Sequence, residues 1–354
     1  MLLNSAGFIG LGVRIRTISV SILAIALFAW FLRHANLGEV WEHVRRARLD
    51  LLLAGLATIF VTYAMRAWRW QYLLAPIGPT RFRTAFRTTI IGFAALGVLP
   101  ARAGDILRPY LLAKQEGLST SATFATIVME RVLDLIAVLA LLAFYVWGTA
   151  NPDSLPASVM RPIEISAAVA VVAVIALMGV MWVLATHPER IGHVVFRVAR
   201  VLPHVMADRL AGFARTFSSG FAVAREPRAL GMALLWSIPL WVTISAEAWL
   251  VTIAFGIDMP FSGTFLLQAL LVIGVAVPTP GAVGSFHEAY RFGVTKFFGA
   301  PNDLAVAAAI VTHAISFIPV VFVGLVFMAQ DGLSVGGLRT IANTASEKEL
   351  PAQP

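Results

Sequence analysis

Six apolar runs, at residues 15–33, 49–68, 122–147, 162–185, 229–255 and 304–330, are each long enough to cross a bilayer, which takes about 20 residues of helix. In hydrocarbon no water meets an open N–H or C=O, so a spanning segment must satisfy its backbone internally, and runs of this length do so as α-helices. The composition agrees. Of the 354 residues, 59% are hydrophobic and 13% charged, and the mean hydropathy of +0.82 lies outside the range of water-soluble domains. An all-α integral membrane protein is expected.

Two further segments, 84–117 and 261–298, each hold two shorter apolar pieces around a turn rich in Gly and Pro. Each reads as a helical hairpin that enters the membrane and returns, giving six full spans plus two hairpins, or as two complete spans, giving eight to ten. The parity is the same. The two segments also look like copies: Pro100, Gly104 and Tyr110 meet Pro280, Gly284 and Tyr290 at a shift of 180, and Arg66-Ala67-Trp68 meets Glu247-Ala248-Trp249 at a shift of 181. Pro100, Gly104, Pro280, Gly281 and Gly284 are the expected turn formers, and Pro278 stands beside them. Interrupted segments at matching positions of two halves point to a transporter's binding site, because broken helices expose backbone groups to a ligand.

Orientation follows from the basic residues. With the N-terminus in the cytoplasm, sixteen Arg and Lys fall inside, Arg66 and Arg69 among them, against five outside (Arg33, Arg45, Arg46, Arg48 and Arg161). Both termini are then cytoplasmic, and the halves 15–147 and 162–330 have opposite topology, an inverted repeat within one transmembrane domain, 14–330. The four Arg between 33 and 48 run against the rule and suggest an interfacial helix carrying Trp41. Residues 1–13 and 331–354 read as tails, the latter disordered. The connector 186–228 has an apolar stripe among Arg190, Arg197 and Arg200 and reads as an amphipathic helix on the inner leaflet. Arg14 and Arg16 precede an apolar stretch as in a signal peptide, but no small-residue cleavage site follows, so an uncleaved first span is expected.

Charges inside apolar segments are costly and call for pairing, water or a ligand. Arg102, Asp105 and Arg108 cluster in the first hairpin, and Glu130, Arg131 and Asp134 in the next span, where helical spacing puts the three on one surface. The second half has Glu247 and Glu288 where the first has Arg66 and Arg108, so the sign is reversed. These eight residues, Arg102, Asp105, Arg108, Glu130, Arg131, Asp134, Glu247 and Glu288, are the candidate substrate-binding set. The Arg would receive a phosphate, and the acids would hold an amine, move a proton or close on the Arg as structural pairs.

Several chemistries are excluded or weakly supported. With no Cys there is no disulfide, thiolate nucleophile or thiolate-held metal. His287-Glu288 begins like the zinc-protease pattern H-E-x-x-H, but Arg291 stands at the second His position, and His287 and His313 are apart from any ligand cluster, so no metal or other cofactor is expected. Ser285 with His313 could imitate a serine dyad, yet VGSFH is not G-x-S-x-G. No phosphate-binding glycine loop is present. The net charge of +8 suits anionic lipid surfaces, and no soluble basic module points to nucleic acid.

LPARAGDILRPYLLAKQEGLSTSATFATIVMERVLDLI, with VPTPGAVGSFHEAY later, resembles the transmembrane region of bacterial lysylphosphatidylglycerol synthases and the stand-alone flippase-like proteins akin to it. The family pattern P-x-R-x-G-[DE]-x-x-R falls on Pro100, Arg102, Gly104, Asp105 and Arg108, E-R-x-x-D on Glu130, Arg131 and Asp134, and P-G-x-x-G on Pro280, Gly281 and Gly284. The resemblance implies a helical domain that moves a phospholipid or polyisoprenoid-type lipid. The residues present show no counterpart of the synthases' soluble aminoacyltransferase domain, so lysyl transfer is not expected. A lipid flippase of the bacterial inner membrane, not an enzyme, whose partners are lipids with an anionic or phosphate-bearing headgroup, is the reading that results. A membrane-embedded enzyme acting on a lipid headgroup and a non-transporting partner of a lipid-modifying complex are the alternatives.

Overall fold

The computed structural model describes residues 22–99, 103–149, 157–187, 216–218, 220–277 and 279–333, with Arg190, Arg197, Gly212 and Ala214 as isolated positions. Pro100, Arg102, Pro278, the loop 151–156, most of the connector 186–228, residues 1–13 and the tail from 334 lie outside the described residues. Every regular element among the described residues is helical. In chain order these are α1 (Ile22–Leu32), α2 (Leu37–Arg46), α3 (Leu49–Leu74), α4 (Phe82–Val98), α5 (Ala103–Glu116), α6 (Thr120–Phe144), α7 (Ala157–Thr186), α8 (Pro227–Ala254), α9 (Gly263–Ala276), α10 (Ser285–Phe298) and α11 (Asn302–Gln330).

Local chemistry sets several of the ends. The Asn36 side chain accepts the Gly38 N–H at the start of α2, and Ser119 does the same for Ala122 at the start of α6. A left-handed Gly299 closes α10. By length and composition α3, α8 and α11 can each cross a membrane. Their exposed faces carry large apolar side chains, among them Leu53, Leu235, Ile318 and Phe322, as contact with lipid demands. The arms of the second broken segment are shorter. At 14 residues each, α9 and α10 are about 21 Å long, less than the hydrocarbon core of about 30 Å. They pack side by side, and the approach is close at Gly274, where an added Cβ would lie 2.8 Å from the Ser285 carbonyl oxygen and 2.9 Å from Ala289 Cβ.

The helix order recurs. α3, α4, α5 and α6 start at Leu49, Phe82, Ala103 and Thr120; α8, α9, α10 and α11 start at Pro227, Gly263, Ser285 and Asn302, offsets of 178, 181, 182 and 182 residues. The chain divides into two compact units, each drawn from both sequence halves: Met1–Ile59, Phe93–Gly104 and Ser245–Val326 form one, and Phe60–Gly92, Asp105–Ile244 and Phe327–Pro354 the other. In the first, Phe31, Leu267, Phe286, Tyr290 and Val294 pack on the small-residue run Ala305–Ala309 of α11, which permits the close helix approach that dispersion needs in lipid. In the second, Trp70, Leu73, Leu112, Met129, Leu133 and Phe221 form the core.

Candidate functional site

Seven charged residues of the second unit, Arg66, Arg69, Asp105, Arg108, Glu130, Arg131 and Asp134, converge on α6. Glu130 and Asp134 lie one turn apart, and both are buried because the rest of that face packs on α3 and α5. Asp134 Oδ1 accepts from Arg69 Nη1 at 2.7 Å and from the Trp241 indole N–H at 3.0 Å, while Oδ2 meets Arg131 at 3.4 Å and Arg66 at 4.0 Å. Glu130 Oε1 accepts from Arg108 Nη1 at 2.9 Å and faces Arg69 Nη2 at 3.5 Å. The Arg108 guanidinium also stacks 3.9 Å over the Trp70 ring. Arg69 donates further to Ser237 at 2.9 Å, and Trp70 holds Thr126 at 2.9 Å. Helices α3, α5, α6 and α8 thus share one network, and among the described residues it holds four Arg against three carboxylates.

Exposure is uneven across it. The side chains of Arg69 and Glu130 are fully buried, whereas Arg131 is 38% exposed and its partner Asp105, 3.1 Å away, is 24% exposed. One edge of the network meets the surroundings, and the remainder is locked. Within the first hairpin's cluster the bonds run across helices: Asp105 accepts from Arg131, and Arg108 donates to Glu130. Arg69 was missed as a site residue. Position alone put it, with Arg66, among the cytoplasmic basic residues, yet both are buried in ion pairs, and without them the count is fourteen against five. The signal was available in Arg66-Ala67-Trp68-Arg69-Trp70, two Arg one turn apart inside an apolar run.

Of the remaining candidates, Glu247 and Glu288 belong to the other unit. Glu288 takes a bidentate pair from Arg291 at 2.6 and 3.0 Å, and Arg291 also reaches Asn302. Asn302 in turn bonds the His34 carbonyl, and Asp303 accepts the Asn36 N–H, so the α1–α2 link is tied to the start of α11. Glu247 accepts from Ser316. Gly104 is the second residue of α5, and Pro280 opens a short 3₁₀ turn, Pro280–Ala282.

That turn has φ +59° at Gly281, +55° at Ala282 and +86° at Gly284. Two histidines brace it: His313 Nε2 donates to the Gly281 carbonyl at 2.7 Å, and His287 Nδ1 accepts the Gly284 N–H at 3.3 Å. Their rings lie 4.5 Å apart, with Phe28, Phe31, Phe286 and Phe317 against one or the other ring. Ser285 Oγ donates to the Ala282 carbonyl. Ser285 Oγ, which also lies 3.5 Å from the Thr279 hydroxyl, and His313 Nε2 therefore each donate to a backbone carbonyl rather than bond one another, unlike a nucleophile and its base. Ser285→Ala removes a bond of 3.3 Å and should lower stability by no more than about 1 kcal/mol. SDS-driven unfolding in mixed micelles measures it, and a much larger loss would show that the hydroxyl holds the turn.

The comparisons with known proteins fit a membrane protein of this build. The "Glycosyltransferase AglD" of Haloferax volcanii is 25% identical over 323 residues, 84% of this chain and 51% of that protein, so the chain spans about half of its length. Two "UPF0104 membrane protein" sequences of Methanothermobacter thermautotrophicus are 24% identical over 325 residues and 23% over 309, covering 86% and 84% of this chain and 90% of each relative. The family model described as the lysylphosphatidylglycerol synthase TM region matches residues 17–324, nearly the whole chain, and this protein belongs to that family.

Proposed function

We propose that the protein moves a lipid with an anionic or phosphate-bearing headgroup across the inner membrane, with both termini cytoplasmic. The observation that carries this is the partly exposed Arg131–Asp105 edge of an otherwise buried, Arg-rich network. A phosphate replaces the Asp105 carboxylate on Arg131, since a guanidinium binds either in the same two-point geometry. Arg108, Glu130 and Asp134, fixed by Arg69, Trp70 and Trp241, position Arg131 rather than meet the lipid. The segments around α4–α5 and α9–α10 are re-entrant hairpins, in keeping with the 14-residue lengths of α5, α9 and α10, and the two repeats are inverted, the architecture of alternating access.

Arg131→Gln tests the reading. It leaves three Arg and three carboxylates among the described residues of the network; Asp105 gives up its 3.1 Å pair with Arg131, but that pair is partly exposed and contributes only about 0–1 kcal/mol. Transbilayer movement of a fluorescent phospholipid in reconstituted vesicles, read by dithionite quenching, should be lost while the unfolding midpoint stays near that of the wild type. Wild-type movement in the variant would remove phosphate capture from the account. The name of the Haloferax relative favours a second reading, in which the membrane part serves headgroup chemistry. The engagement of Ser285 and His313 by backbone carbonyls argues against those two as its centre.

A further inference from the structure

Glu247 is buried like Glu130 and Asp134 but partnered differently. It is 4% exposed in α8, at the position where the first repeat has Arg66, and its Oε1 accepts the Ser316 hydroxyl of α11 at 3.0 Å. Among the described residues no Arg, Lys or His stands within ion-pair distance of it. The groups facing it are neutral. From α10 the titratable one is the Tyr290 phenol, itself bonded to Thr252 at 2.6 Å and to Thr312; from α11 it is met by Ser316; from α3 it is met by Gly55, packed on the Glu247 backbone carbonyl. His313, three residues before Ser316, has its Nε2 proton on Gly281.

A carboxylate held at this depth without a cation is costly, whereas the neutral acid, bonded to a hydroxyl, is not. A metal ion is a poor occupant, because one carboxyl and a hydroxyl that already donates to it fall well short of the six or more oxygens a hard cation takes. We infer that Glu247 is a proton-binding site: it holds a proton while closed within its unit and releases it to water when the site opens, coupling lipid movement to a proton gradient. The step is a bare proton transfer, carboxylic acid to carboxylate plus H⁺, with nothing oxidised or reduced. The inference rests on the transport reading above, and its test separates the two.

Infrared spectroscopy of the reconstituted protein reads the acid directly through the C=O stretch of a protonated carboxyl. Glu247→Gln keeps the size and the hydrogen bond but cannot ionise; it should lack that band. Ser316→Ala, a milder change, should move the band to higher frequency by removing the donor. In vesicles of phosphatidylglycerol and phosphatidylethanolamine, an imposed pH difference should speed lipid movement several-fold in the wild type and leave Glu247→Gln unchanged. A spectrum unaltered by both substitutions overturns the assignment, as does a Glu247→Gln variant still driven by the pH difference. A band lost in the variant, with no lipid movement by either protein, upholds the proton site and overturns the transport reading.

Discussion

Asp134→Leu should be the most destabilising single change in the charge network, by about 3–5 kcal/mol, the usual result of removing one member of a buried ion pair. It leaves the fully buried Arg69 without its 2.7 Å partner, deprives the Trp241 N–H of an acceptor, and sets four Arg against two carboxylates among the described residues. The double variant Asp134→Leu with Arg69→Met should recover part of the loss, because the guanidinium and its missing partner leave together and an apolar side chain fills the space. SDS-driven unfolding of the four proteins measures the coupling. Additive losses, or a single variant within about 1 kcal/mol of wild type, would show that the network does not hold the second unit together.

The second large effect is expected at Gly284. Its φ of +86° with ψ of −59° disfavours any side chain, by roughly 1–3 kcal/mol for an L-residue. An added Cβ would stand 2.5 Å from Leu27 Cβ and 2.9 Å from the Phe28 nitrogen, so α1 must yield as well. Gly284→Leu should therefore separate α1 from the braced turn and, under the proposed transport function, end lipid movement, in contrast to Ser285→Ala next to it. Hydrogen exchange over 22–32 should accelerate in the variant. Unchanged protection there would mean that the contact with α1 is not what the glycine preserves.

Much of the helical layout was legible because hydrophobicity sets it. The run at 304–330 became α11 at Asn302–Gln330, and the broken segment 261–298 became α9 and α10, since Gly and Pro interrupt helices wherever they stand together. The run at 49–68 fell short of α3, which continues to Leu74: Arg69 looks like a terminus in sequence, but its charge is met by carboxylates of α6, so the helix passes through it buried. That pairing is the general reason the site was only partly legible. Spacing along α6 correctly put Glu130, Arg131 and Asp134 together, whereas which Arg faces which carboxylate depends on how α3, α5 and α8 pack, a matter of tertiary contact. The roles of His287 and His313 were hidden for the same reason, because their partners are backbone atoms of a turn and carry no residue signature.

The pairing of four Arg with three carboxylates also bears on voltage. A membrane potential acts on net displaced charge, about 2.3 kcal/mol per elementary charge for each 100 mV crossed. Unpaired, four guanidinium groups moving together would couple strongly to the field. Interlocked as they are with Asp105, Glu130 and Asp134, all but one of those charges cancel among the described residues, so the network can shift as a body while the potential does little work on it. Under the proposed transport function, an anionic headgroup bound at Arg131 would cancel the last charge of the described network, which would then move with almost no electrical bias.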